Sequence, residues 1–302
     1  MKHAFLLLLT LFNASILFAQ TKEGLVELNG TQLFVKITGQ GEPIVVIHGG
    51  PGMNHTYFLP HLNKLAKNFQ VTYYDQRASG RSAIPDTNTI TLQTFVEDID
   101  AIREYLGHDQ IYLLAHSWGA LPAIQYGLEF PDKLKGIIFC NPIPFNKAYD
   151  EEMKTAQQNK MVGSDSTDRS IIIGSPNFKA GKVSAYKKLL LLSFRNSFYK
   201  KANFSHLHFE MPDNYKAASQ ALYTGLGKEL SQYDYYEEIK KFSFPVLILQ
   251  GSADAVPLRA SQQAMENLPN ATLKEFKKSG HFIFIEEPKK FTHVINKFID
   301  RD

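Results

Sequence analysis

The chain has 302 residues, of which 44% are hydrophobic and 21% charged, an ordinary composition for a globular protein with a sizeable core. The net charge is only +3, and Lys and Arg alternate with Asp and Glu without forming a basic stripe, which argues against a nucleic-acid partner. A single cysteine, Cys140, excludes an internal disulfide and any zinc site built on several thiolates.

Residues 1–19 read as an export signal. Lys2 supplies the positive start, and Phe5 to Leu9, Leu11, Phe12 and Ile16 to Phe18 supply the apolar stretch. Cleavage is expected after Ala19, although Leu17 departs from the usual small residue two places earlier; the alternative is an uncleaved N-terminal anchor. No later apolar stretch is long enough to span a bilayer, so no stable membrane span is expected once the signal is removed. The expected location is the periplasm or the outside of the cell.

Further along, Leu25 to Leu28 and Leu33 to Ile37 flank Asn29-Gly30, a hairpin signal because both turn residues tolerate positive φ. Ile44 to Ile47, Val71 to Tyr74, Ile111 to Leu114, Ile137 to Phe139 and Val246 to Leu249 are short unbroken apolar runs, the mark of strands buried on both faces. Helical patterns lie between them. Leu92, Phe95, Ile99, Ile102 and Leu106 form one apolar stripe; Phe291, Val294, Ile295 and Phe298 form another behind Pro288. This alternation predicts an α/β fold with a mostly parallel sheet covered on both faces. It breaks from about Ile143 to Ile239, where Lys187–Leu192 and Tyr215–Leu226 look helical. The expected organisation is therefore a core over 20–142 and 240–302, with a helical cap inserted at 143–239.

Three strand ends carry reactive residues. The string Ile111-Tyr-Leu-Leu-Ala-His-Ser117-Trp-Gly119 runs from a strand through a turn into a helix. A serine on such a bend projects above the sheet edge, and the bend needs small residues two places either side, which Ala115 and Gly119 supply. A serine hydroxyl needs a base in reach, and the base needs an orienting partner. Gly251-Ser-Ala-Asp254 follows the Val246 strand and places a carboxylate at its end; Ser279-Gly280-His281 presents an imidazole on a loop. The chain order is serine, acid, histidine. Ile47-His48-Gly49-Gly50-Pro51-Gly52 follows the first buried strand. A glycine-rich turn there can aim a backbone N–H at a developing oxyanion; Gly50 and the Trp118 amide are the two expected donors. A phosphate cradle is the competing reading, but no Gly-Lys-Ser/Thr follows and the dinucleotide spacing is wrong. His206 and His208 are spaced like metal ligands without companions, and no metal is expected. Cys140 and His116 are expected to be buried packing residues. Phe194, Phe198, Tyr199, Phe204, Phe209 and Tyr223 are expected to divide between a pocket lining and the cap's own small core.

Together, His48-Gly-Gly-Pro-Gly52, Asp75-Gln-Arg-Ala-Ser-Gly80-Arg-Ser82, Ala115-His-Ser-Trp-Gly119, Gly251-x-x-Asp254 and Gly280-His281 resemble the prolyl-iminopeptidase branch of the α/β-hydrolases. Ala78 stands where that branch has glycine. The likeness covers Gly24 to Pro142 and Phe244 to the C-terminus, not the cap. It implies an α/β-hydrolase fold, a serine hydrolase mechanism with no metal or organic cofactor, and release of an N-terminal residue from a short peptide. It also implies cap carboxylates that grip the free amine, for which Glu210, Asp213, Glu229 and Asp234 are the candidates. Asp75 and Arg77 are read as structural. Trp118 is the only tryptophan, whereas the branch often has a Trp-rich cap. A carboxylesterase acting on small esters is therefore the alternative, and a non-catalytic binding protein on the same scaffold is the alternative of another class.

Overall fold

The computed structural model describes residues 21–300; the expected signal at 1–19 lies outside them. The first two strands, β1 (Lys22–Leu28) and β2 (Thr31–Thr38), pair antiparallel from Leu28↔Thr31 outward. Asn29 and Gly30 between them both have positive φ, 45° and 67°, as a two-residue hairpin requires. The apolar runs become β3 (Glu42–Ile47), β4 (Phe69–Tyr74), β5 (Ile111–His116), β6 (Leu134–Cys140) and β7 (Val246–Gly251); β8 (Ala271–Phe276) completes the sheet. The order is β1-β2-β4-β3-β5-β6-β7-β8, with every neighbouring pair from β4 onward parallel.

Two-residue periodicity sends alternate side chains to opposite faces. Val45, Ile47, Leu113, Ala115, Ile137, Phe139, Val246 and Ile248 enter one core, with Val96, Ile99 and Ile102 of α1 (Leu92–Leu106) and Ala120, Ala123 and Ile124 of α2 (Ala120–Glu129). Ile44, Val46, Leu114, Ile138, Cys140, Leu247 and Leu249 enter the other, where Phe291, Ile295 and Phe298 of the C-terminal helix Pro288–Ile299 pack. Helix α1 begins with a capping box at Thr91 and Thr94 and ends on Gly107 at φ 73°.

Between β6 and β7 the described residues contribute no sheet strand. The segment holds α3 (Asp150–Lys160), α4 (Gly163–Gly174), the short α5 (Pro176–Lys179), α6 (Val183–Arg195) and α7 (Tyr215–Ser231). Its two ends are zipped together where Tyr235 N–H donates to Phe145 O and Lys147 N–H to Tyr233 O. Ala221, Leu222 and Leu226 of α7 pack with Ile90, Leu92, Phe95 and Trp118 in a third core cluster. Gly225 is needed at that contact, because a Cβ there would lie 2.4 Å from the Ile90 carbonyl oxygen. The helical stretches expected at Lys187–Leu192 and Tyr215–Leu226 fall inside α6 and α7.

Candidate active site

Ser117 follows β5 immediately and has φ 55°, a left-handed conformation that costs a non-glycine residue about 1–2 kcal/mol. The surrounding packing holds it there. A Cβ on Gly119 would lie 2.8 Å from the Ile47 carbonyl oxygen, and one on Gly49 would lie 3.1 Å from Ser117 Cβ. The two glycine-containing turns therefore pass at backbone distance, and the glycine-rich loop lies directly against the serine. Gly50, at φ 133°, lines the same cavity as Ser117. Trp118 lies in the first turn after Ser117, where backbone N–H groups have no partner further back in the helix. Its indole is buried away from the cavity, donating to Gln76 Oε1 at 3.0 Å.

Asp254 sits in the turn after β7. Its Oδ2 accepts from His281 Nδ1 at 2.8 Å and from Asn141 Nδ2 at 2.6 Å, and its Oδ1 accepts from the Val256 amide at 3.2 Å. Burial alone would push this carboxyl up; the charge of His281 and the bonds from His281, Asn141 and Val256 outweigh it and hold Asp254 below the ordinary carboxylate range. The ring of His281 is thereby oriented through Nδ1, while its backbone is clamped twice: its N–H donates to Ser197 O at 2.7 Å, and its C=O accepts from His116 Nε2 at 3.0 Å. Ser117, His281, Asp254 and Gly50 line one cavity of about 520 Å³ between the sheet edge and α3, α4 and α6.

Several residues that support the site were not assigned that role in the sequence. His116 is buried, and burial together with the neighbouring His281 pushes its imidazole down to about 3, so it is neutral. Its Nε2 faces a carbonyl and must carry the proton; its Nδ1 must then accept from Tyr57 Oη, 2.8 Å away, and Tyr57 Oη in turn accepts the Gly49 N–H at 2.7 Å. This chain of three bonds ties the glycine-rich loop to the His281 loop through the residue before the serine. Gln76 and His48 hold the same loop from the other side: Gln76 Nε2 donates to His48 O at 2.7 Å, and the Gln76 amide to His48 Nε2 at 3.0 Å. Asn141, at φ 45°, bridges Asp254 and the Gly280 carbonyl, the latter at 3.1 Å. Glu286 accepts from the amides of Gly280, Tyr199 and Lys200, tying the His281 loop to the segment between β6 and β7.

Asp75 and Arg77 lie outside the cavity lining. Asp75 accepts from the His55 amide and ring and from the Arg81 amide; Arg77 makes a buried two-pronged pair with Asp98. Cys140 is buried and its thiol is pushed well up by burial.

The four carboxylates that were candidates for gripping the substrate amine do not line the cavity. Glu210 and Asp213 are exposed, and Glu210 lies beside His208. Glu229 accepts from the Leu92 amide at 2.9 Å, stabilising the start of α1, where the helix dipole favours an anion. Asp234 is exposed and accepts from the Tyr236 amide in its own turn. The carboxylate between β6 and β7 that does reach the wall is Asp165, which is buried and bonded to Arg195, Asn196 and the Val162 amide. Of the cap aromatics, Phe194 lines the cavity and Phe198 stacks on Phe282 with ring centroids 4.9 Å apart, whereas Tyr199 and Tyr223 face solvent.

A serine on a strand-to-helix bend, an imidazole on a loop, and a carboxylate bonded to that imidazole at the carboxyl edge of a mostly parallel sheet define the class, a hydrolase of α/β-hydrolase architecture. The chain belongs to the α/β-hydrolase fold family, whose model matches residues 42–288. It is similar to a proline iminopeptidase from Lactobacillus delbrueckii subsp. bulgaricus, 27% identical over 300 residues that cover 93% of this chain and 98% of the relative. Its fold is that of the solved proline iminopeptidase from Mycobacterium smegmatis (TM-score 0.68, 19% identity, 92% of this chain and 97% of the other). An esterase from Exiguobacterium antarcticum shares the fold equally (TM-score 0.65, 20% identity, 91% and 98%).

Proposed function

We propose that the protein is an exported serine aminopeptidase of prolyl-iminopeptidase type that removes the N-terminal residue from short peptides through an acyl-enzyme. The observation that carries this reading is the convergence of Ser117, His281, Asp254 and Gly50 on one cavity, with His281 already oriented by Asp254. Similarity to proline iminopeptidases over nearly the whole chain supports the peptidase assignment. Ser117 Oγ bonds to the scissile carbonyl carbon while its proton passes to His281 Nε2, and Asp254 stabilises the imidazolium. The amides of Gly50 and Trp118 receive the oxyanion. Collapse breaks the C–N bond, and the proton moves from His281 to the departing amine. Water, deprotonated by His281, then releases the acid and regenerates Ser117. The segment 143–239 acts as a cap over the site. Lys2 and the apolar run within residues 1–19 support export to the periplasm or beyond.

One observation favours a small-ester hydrolase as the second reading. Both carboxylates on the described cavity wall are already engaged, Asp254 by the His281 ring and Asn141 and Asp165 by Arg195 and Asn196, so neither is free for a substrate amine. The test is a parallel rate assay on prolyl and alanyl arylamides, the same compounds N-acetylated, and short nitrophenyl esters, with Ser117→Ala as control. Cleavage of the free-amine arylamides but not the blocked ones supports the aminopeptidase. Turnover of esters alone replaces it with the esterase.

A further inference from the structure

The charges on the cavity wall are uneven. Lys154 is paired with Glu151 and Asp165 with Arg195, while Asp254 accepts from the His281 ring and Asn141. Two cations remain. Lys160, the last residue of α3, is half-buried and its Nζ donates to the Ala253 carbonyl, beside Asp254; no carboxylate is bonded to it. The nearby Glu286 is occupied by the amides of Gly280, Tyr199 and Lys200 and by Asn203. Arg169 lies on α4 one turn after Asp165, at the solvent-exposed rim of the cavity that it lines, and has no ion-pair partner among the described residues. An ammonium offers three N–H donors and a guanidinium five, and the Lys160 bond to Ala253 takes up only one of these eight.

We propose that Lys160 and Arg169 form a carboxylate-binding subsite in the cap, so that the preferred substrate carries a carboxylate away from the scissile carbonyl. This rests on the hydrolase reading of Ser117 and deepens it. Two sources supply that chemistry: the free C-terminus of a di- or tripeptide, or an acidic side chain on the acyl residue. The first would make the enzyme selective for very short peptides, because a longer peptide carries its terminal charge out of reach of the cap.

The test measures kcat and KM for the wild type, Arg169→Gln and the double variant Lys160→Gln/Arg169→Gln. The substrates are a prolyl dipeptide against its C-terminal amide, an aspartyl arylamide against the asparaginyl one, and neutral nitrophenyl acetate as a reference for the chemistry. The expected result is a preference of about tenfold or more for the carboxylate member of one pair, the scale of one charge-assisted hydrogen bond. The preferred pair identifies the source. The preference falls stepwise in the variants through KM, while nitrophenyl acetate turnover is unchanged in Arg169→Gln. Equal rates within both pairs, or a preference that survives the double variant, overturn the subsite while leaving the hydrolase intact. Absence of turnover on every substrate, nitrophenyl acetate included, overturns both.

Discussion

Asn141 offers the sharpest test of how the acid and the base are held. Its φ of 45° is one that asparagine and glycine tolerate, so Asn141→Gly removes the side chain without straining the backbone. What is lost is the bond to Asp254 at 2.6 Å and the bond to the Gly280 carbonyl at 3.1 Å. A bond to an ionised acceptor contributes about 1.5–3 kcal/mol and a neutral one about 0.5–1.5 kcal/mol. Removing the buried, unpartnered Asn141 Oδ1 returns roughly 1 kcal/mol, which the chain entropy of glycine offsets. The expected destabilisation at pH 7 is therefore about 2–4 kcal/mol, read by urea unfolding. Because the Asp254 carboxyl is held low in the folded state, its stabilisation is complete above the unfolded value near ~4 and is lost as pH falls through the folded value. Asn141 contributes to that lowering, so the deficit should shrink below pH ~4. Ester turnover should drop about 10- to 100-fold, the scale of a small misplacement of a reacting group. A deficit under about 0.5 kcal/mol at pH 7 with full activity would refute the bridging role.

Three further substitutions probe the surrounding framework. Tyr57→Phe leaves the buried Gly49 N–H without its acceptor and His116 without its donor; we expect a loss of about 1–3 kcal/mol and a fall in kcat with little change in KM. Gly280→Ala would place a Cβ 2.0 Å from the Ser197 carbonyl oxygen, so the His281 loop must shift; activity should fall by about 100-fold or more while circular dichroism still reports the fold. Arg77→Lys cannot reproduce the buried two-pronged pair with Asp98; thermal unfolding should move down by the equivalent of about 2 kcal/mol, with kcat/KM per folded molecule retained.

The core and the reactive residues were legible in the sequence because each left a local physical trace. Buried strands leave unbroken apolar runs, and the bend at Ser117 demands a residue without a Cβ at Gly119, which lies under Ile47. Strand β8 was less visible: it is a half-buried edge strand, with Lys274 and Glu275 in its middle. The residues that hold the site together were opaque for another reason. Asn141 looks like any polar residue after a strand. A signal did exist: Cys140 is level with His116 in the sheet, so the next residue on each strand reaches the same edge. Tyr57 lies in a short turn of 3-10 helix with no periodicity to flag it. In the cap, helix α3 buries no residue fully, so no apolar stripe indicates which face points inward. That is why Lys160, at its end, could not be placed against the cavity before packing set its direction.

Whether Ser117 is a nucleophile activated by His281 is tested most directly by an active-site serine probe. Folded wild type, Ser117→Ala and His281→Ala would each be treated with a fluorophosphonate, digested, and the adduct mapped by mass spectrometry. One adduct is expected, on Ser117, absent in Ser117→Ala and formed at least about 1,000-fold more slowly in His281→Ala. No adduct in the folded wild type, or labelling that survives Ser117→Ala, would contradict it.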